Sequence, residues 1–218
     1  MTDFFKTNRR EVYRYMGLRG SAPEAAVEQM TEAVISELAE SINAKFCARD
    51  TSLEINGSTI CFETFSVQSS ALAKNLSGCE AAILIAATLG SEADRIIEKY
   101  TIISPSKAVA AQAAAAAMIE QYADDICAVL KAEESASGFF LRPRFSPGYG
   151  DLSLDCQEDF LTALDARRKI GLCLTDGGLM TPVKSITAVI GKTRNPQSCH
   201  IGKCSGCKKL DCVFRKDE

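Results

Sequence analysis

A single histidine, His200, stands in the 218 residues. Any site that needs two histidines is therefore excluded, which removes His-rich zinc enzymes and the H-E-x-x-H proteases. Tryptophan is missing as well, and that excludes nothing. No stretch approaches the ~18 uninterrupted apolar residues a membrane span requires. The opening Met1-Thr2-Asp3-Phe4-Phe5-Lys6 lacks the apolar core of a secretory leader, so a cytoplasmic protein without membrane contact is expected. A net charge of −3 argues against broad nucleic-acid binding. The rest is ordinary, 46% hydrophobic and 24% charged, and the length suits one large domain or a domain with a small appendage.

Cysteine is abundant, with ten residues unevenly placed. Cys47, Cys61, Cys79, Cys127, Cys156 and Cys173 are scattered singly in apolar surroundings and read as small buried hydrophobes in a reducing compartment. Cys199, Cys204, Cys207 and Cys212 instead crowd into the last twenty residues as C-x4-C-x2-C-x4-C. Such clustering points to a metal or to redox chemistry before a disulfide framework. Cys204-x2-Cys207 has the usual chelating step, and His200 offers an alternative to Cys199 as a ligand. Zinc and an iron–sulfur cluster both remain open. From Lys192 onward seven basic and three acidic residues give +4, leaving −7 for the remainder. Thiolates near a metal are favoured by such local positive charge. The expected division is 1–191 as the main domain and 192–218 as a Cys-rich basic tail.

Hydrophobic periodicity predicts a short helix over residues 8–17, capped by Asn8, and a second from about Pro23 to Ala44. Two extended runs, Ser52–Ile55 and Ser58–Phe65, flank Asn56-Gly57, a strong hairpin signal. A short helix near 70–76 precedes the apolar run Ala81–Ala87, which suits a strand buried on both faces. Next come a helix from Ser91 to Tyr100, with Ser91 as its cap, and a long helix from Ser104-Pro105-Ser106 to about Glu133. Phe139–Ser146 reads as a strand, Gln157–Leu164 as a helix and Lys184–Ile190 as a final strand. The mixture has no strict β-α-β rhythm, so the fold class is α+β.

Two places carry chemistry. On the long helix Glu120 is surrounded at helical spacing by Ala116, Ala117 and Ala123, a small-residue face that a ligand could approach closely. Asp124 lies one turn on, and an acidic pair at i,i+4 invites a cation. The segment Leu141-Arg142-Pro143-Arg144-Phe145-Ser146-Pro147-Gly148-Tyr149-Gly150-Asp151 is the most unusual before the tail. Its prolines hold the chain extended, and its glycines let backbone come close to a ligand. Arg144 offers a planar fork for a carboxylate or phosphate, and Tyr149 an aromatic face with a hydroxyl.

Arg144-Phe145-Ser146-Pro147-Gly148-Tyr149 resembles the R-x-x-P-G-Y motif of the activation domain of cobalamin-dependent methionine synthase. Gly171-Leu172-Cys173-Leu174-Thr175-Asp176-Gly177-Gly178-Leu179-Met180-Thr181-Pro182 is similar to that domain's G-x-x-L-T-E-S-x-x-M-x-P, with Asp176 and Gly177 in place of Glu and Ser. Arg10-Glu11-Val12-Tyr13-Arg14-Tyr15-Met16-Gly17 and Ala86-Ala87-Thr88-Leu89-Gly90 are similar to free-standing relatives of the domain. The likeness spans most of residues 8–191 and leaves the cysteine tail outside it.

The resemblance implies a C-shaped α+β domain with a central antiparallel sheet, binding S-adenosylmethionine. It implies that Arg144 meets the methionine carboxylate, that Ser146 and Gly148 contact the ligand through backbone with Tyr149 beside it, and that Glu120 matches a glutamate on the family's long helix. Asp3 is the candidate for an acidic contact near the N-terminus. The implied role is reductive reactivation. A Co(II) corrinoid is remethylated with S-adenosylmethionine and an electron donor such as a flavodoxin or ferredoxin. The folate, homocysteine and cobalamin modules of the full synthase do not fit in 218 residues, so the corrinoid would be carried by a methyltransferase module acting in trans. The chain would then be an accessory to methionine synthesis, not a complete synthase. The competing expectation is a non-catalytic S-adenosylmethionine or corrinoid sensor, or an assembly partner, with a zinc-binding tail.

Overall fold

The computed structural model describes residues 7–18 and 23–196. In chain order the elements are α1 (Arg9–Tyr15), α2 (Ala25–Ser41), β1 (Lys45–Asn56), β2 (Thr59–Phe62), β3 (Ser66–Gln68), α3 (Ser70–Asn75), β4 (Ala81–Thr88), α4 (Ser91–Ile103), α5 (Pro105–Ala136), β5 (Phe140–Leu141), α6 (Gln157–Leu164), α7 (Ala166–Ile170), β6 (Cys173–Leu174), β7 (Met180–Thr181) and β8 (Ser185–Thr193). The fold is α+β, with a six-stranded antiparallel sheet in the order β3-β2-β1-β4-β8-β5 and a small β6-β7 ribbon. Two compact units divide the described residues. One takes the chain up to Ala48, Ile85–Val129 and Asp155–Thr187; the other takes Arg49–Leu84, Leu130–Leu154 and the chain from Ala188 on. No helix among the described residues is long and apolar enough to cross a membrane.

In the first unit the core is helical. Thr31, Val34, Ile35 and Leu38 recur at i, i+3, i+4 and i+7 along α2, and all four are buried. Glu37 on α2 accepts from Lys99 Nζ at 2.8 Å and from the Tyr100 hydroxyl, which ties α2 to α4. The start of α4 corrects the expected Ser91 cap. Gly90 occupies the cap position at φ +84°, with no side-chain cap. A Cβ there would lie 3.1 Å from the Asn43 carbonyl oxygen, so only glycine suits the turn. The part of α5 in this unit is its alanine-rich stretch, with Ala110, Ala111, Ala114, Ala115 and Ala123 fully covered. Alanine there gives the best helix propensity and the closest packing at once.

The second unit is built on strands. β1 meets β2 with Asn56 opposite Thr59, closing the Asn56-Gly57 turn that the sequence predicts. β2 continues into β3 with Ile60 opposite Val67. β5 pairs with β8 through Phe140 opposite Thr193 and Leu141 opposite Lys192. Lys192 is 9% exposed; its ammonium lies 2.7 Å from both Asp50 and Glu134 and 5.1 Å from the Phe139 ring centroid. Burial alone would lower its pKa, and the two carboxylates reverse this and raise it. Arg194 faces Glu80 at 3.5 Å. Lys192 and Arg194, counted above with the basic tail, thus have acidic partners in this unit. β8 also runs through Gly191 to Thr193, so the boundary expected near Gly191 falls inside a strand.

The strand expected over Phe139–Ser146 is shorter than read. Only Phe140–Leu141 forms a ladder strand, and Phe145 returns for one bridge to Val189. Pro143 and Pro147 have no N–H to give to a neighbour, which breaks the ladder into these fragments.

Candidate functional site: the Arg144–Tyr149 loop

Backbone pairing fixes where this loop begins. Phe145 N donates to Val189 O and Val189 N to Phe145 O, both at 2.9 Å. Beyond Pro147 the chain folds on itself: Tyr149 N donates to Ser146 O at 3.0 Å, Gly148 N to Leu152 O at 2.8 Å and Leu152 N to Tyr149 O at 3.0 Å. Gly148 sits at φ +88°, where a Cβ would come within 3.2 Å of Leu154 Cδ2. The positive φ disfavours a side chain there, while Leu154 is 61% exposed and could yield the space.

The loop has a buried root and an outward tip. Arg144 and Ser146 are each 6% exposed, whereas Tyr149 is 47% exposed. The Phe145 and Tyr149 rings meet edge to face at 6.2 Å and 74°, which props the tyrosine. The Ser146 hydroxyl is buried and has no hydrogen-bond partner among the described residues. A guanidinium withdrawn from water, as Arg144 is, holds a carboxylate more firmly than an exposed one. Chemically, the tip offers exposed glycine backbone and an aromatic face to a small ligand, with a buried arginine at the root of the loop.

Sequence reasoning passed over Arg142. It is 8% exposed, and its Nη2 donates to the Ser77 carbonyl just past α3. That is the favourable end of a helix for a cation, and it anchors the entry to the loop.

Glu120 lies in the other unit, half-buried on α5. Ala117 and Ala123 beside it are buried by the protein itself, and Ala116 is half-buried. The small-residue face read from sequence is therefore largely used for packing. Ala116, with Tyr15, Ala108, Val109, Gln112 and Ala113, lines a surface depression of about 330 Å³. The Tyr15 hydroxyl is pushed up in pKa by burial and then by the Glu120 carboxylate. The Arg14 guanidinium lies 4.4 Å from the Tyr15 ring centroid. Asp124 is half-buried one turn beyond Glu120.

Cys199, His200, Cys204, Cys207 and Cys212, together with Asp3, lie outside the described residues. Among the described residues no group of three or more His, Cys, Asp or Glu could hold a metal ion. Of the six scattered cysteines Cys47 and Cys156 are buried, and the other four are half-buried. Burial pushes the Cys47 thiol up and the Cys156 thiol up to about 11, which keeps both protonated and unreactive at neutral pH.

No family model and no curated protein matches this sequence. Among solved structures the chain is similar to the MetH reactivation domain bound to AdoHcy, with a TM-score of 0.63. The match covers 84% of this chain and 72% of that one, at 13% sequence identity. At that identity the likeness is one of fold.

Proposed function

We propose that this protein binds S-adenosylmethionine through the Arg144–Tyr149 loop and serves the reductive reactivation of a corrinoid methyltransferase acting in trans. The supporting observation is the build of that loop: a buried arginine, a glycine that leaves backbone open, and a propped, exposed tyrosine. Its fold is that of a domain crystallised with AdoHcy, the demethylated form of the proposed ligand. In the proposed reaction a flavodoxin or ferredoxin supplies one electron to a partner's Co(II) corrinoid. The methyl group of the sulfonium then passes to cobalt, leaving S-adenosylhomocysteine. Glu120 as a further ligand contact rests on the sequence, through its helical spacing and the resemblance.

Titration calorimetry with S-adenosylmethionine tests the binding. Arg144→Ala should remove a charge-assisted contact worth about 1.5–3 kcal/mol, or roughly ten- to hundredfold in affinity. Arg144→Lys keeps the charge and loses the fork, so it should recover only part of that loss. Wild-type affinity in Arg144→Ala would end the assignment.

Cys199, Cys204, Cys207 and Cys212, with His200 as the alternative to Cys199, are proposed to hold one metal centre. Four thiolates within fourteen residues repel one another without a cation, and an iron–sulfur cluster would add an electron carrier. Elemental analysis of anaerobically purified protein should find iron or zinc in the wild type and a loss of it in Cys204→Ser/Cys207→Ser. Equal metal in both, or none in either, would reject the centre.

A further inference from the structure

The structure assigns Asp151 as the residue that positions the Ser146–Tyr149 loop, by fastening it to the first turn of α3. The assignment rests on the reading of this loop as the S-adenosylmethionine cradle, although the fastening itself is geometric. The leading amides of a helix have no partner inside the helix. In α3 the Ser69 hydroxyl takes one of them, accepting from Leu72 N at 2.9 Å. The other two turn to Asp151: Ser70 N donates to Oδ2 at 2.8 Å and Ala71 N to Oδ1 at 3.1 Å. The Ser69 hydroxyl donates to the same carboxylate. One side chain thus accepts three hydrogen bonds from a turn 80 to 82 positions earlier in the chain.

The neighbouring residue shows that this contact is built. Gly150 is at φ +56°, and a Cβ there would lie 2.7 Å from the Ala71 Cβ and 3.4 Å from Phe145 Cζ. Glycine lets the loop lie against α3 closely enough for the carboxylate to reach the amides. Asp151 also sits inside the small ring closed by the Gly148–Leu152 and Leu152–Tyr149 backbone bonds. Holding Asp151 therefore holds Gly148 and Tyr149, the two positions the ligand would meet at the tip. The Ser69 hydroxyl first, then the Ala71 and Ser70 amides, keep the Asp151 carboxyl below its usual range and so charged at neutral pH. Its side chain is exposed to water, so its effect on global stability is small and its effect on loop geometry is the larger one.

Asp151→Asn tests this in the full chain. The amide has one acceptor oxygen and turns an N–H toward the helix amides, so the fastening should fail. Hydrogen exchange of the Gly148, Tyr149 and Leu152 amides should speed up about tenfold, while Ile83–Ala86 in β4 keep their protection and the melting temperature stays within a few degrees. S-adenosylmethionine affinity should fall about tenfold. Ser69→Ala, which removes one of the three bonds and with it the Leu72 cap of α3, should speed loop exchange in the same direction by at least about two- to threefold. Unchanged loop exchange in Asp151→Asn would overturn the assignment, as would faster loop exchange at wild-type affinity. Loss of β4 protection together with the loop would make Asp151 a general stability residue and equally overturn it. If wild-type protein fails to bind S-adenosylmethionine, the ligand reading falls, and loop exchange alone then decides whether Asp151 fixes the loop.

Discussion

Gly191 on β8 has room for a hydrogen and nothing more. Its backbone is not in the left-handed region, so the constraint is purely one of space. A Cβ would lie 2.5 Å from Cys79 Sγ, 2.8 Å from Leu76 Cδ2 and 3.1 Å from Arg142 Cγ. Leu76 is fully buried and Arg142 is 8% exposed and held to Ser77, so neither can swing aside into water. Gly191→Ala should therefore destabilise the protein by about 1–3 kcal/mol, the usual cost of forcing an extra methyl into a packed site. Thermal unfolding measures it. Cys79→Ala in the same chain removes the nearest atom and should recover part of the loss. Gly90 differs in kind, because its positive φ penalises any side chain before the Asn43 carbonyl does.

Elements with local signals are legible in the sequence alone. α6 runs over Gln157–Leu164 as read, and β4 extends the Ala81–Ala87 run by one residue to Thr88. β1 was visible only in its second half. Its first half, Lys45 to Thr51, mixes charged and apolar residues, with Cys47 and Thr51 buried, Ala48 and Arg49 between them half-buried and Asp50 exposed. Such a half-wetted strand hides its period. α4 continues past Tyr100 through Thr101, Ile102 and Ile103, β-branched residues that disfavour helix, two of them 84% and 64% exposed. β6 and β7 are two residues each, below the length at which alternation can be seen. The Arg144–Tyr149 loop stood out because proline, glycine and arginine in that order restrict backbone and supply charge. Asp151 did not, since its partners are set by the fold and not by spacing. The same holds for Lys192, whose carboxylates on β1 and α5 no tail composition could foretell.

Across the whole molecule, acid is the expected weak side. Glu32 is held below the usual carboxylate range by the Arg9 guanidinium, and Glu37 by the Lys99 ammonium and the Tyr100 hydroxyl. A carboxyl whose pKa is lower in the folded than in the unfolded chain stabilises the fold above its unfolded value. That contribution is lost as pH falls through the folded value. With ordinary carboxyls near 3.9–4.3, the melting temperature should be level from about pH 6 to about pH 8 and should decline below about pH 4.5. Lys192 works in the opposite sense: its raised value keeps its contribution intact until pH climbs past the ordinary lysine range, about 10.4. Lys192 therefore adds no pH dependence near neutrality, whereas Cys47 and Cys156, whose thiols burial pushes up, cost stability once pH rises past the ordinary thiol value of about 8.5. Because Glu37 sits between a lysine and a tyrosine, Glu37→Gln should lower stability at neutral pH and flatten the acid slope. Calorimetric melting of wild type and variant from pH 3 to 8 checks this. Parallel acid slopes in the two would assign the acid sensitivity to other carboxylates.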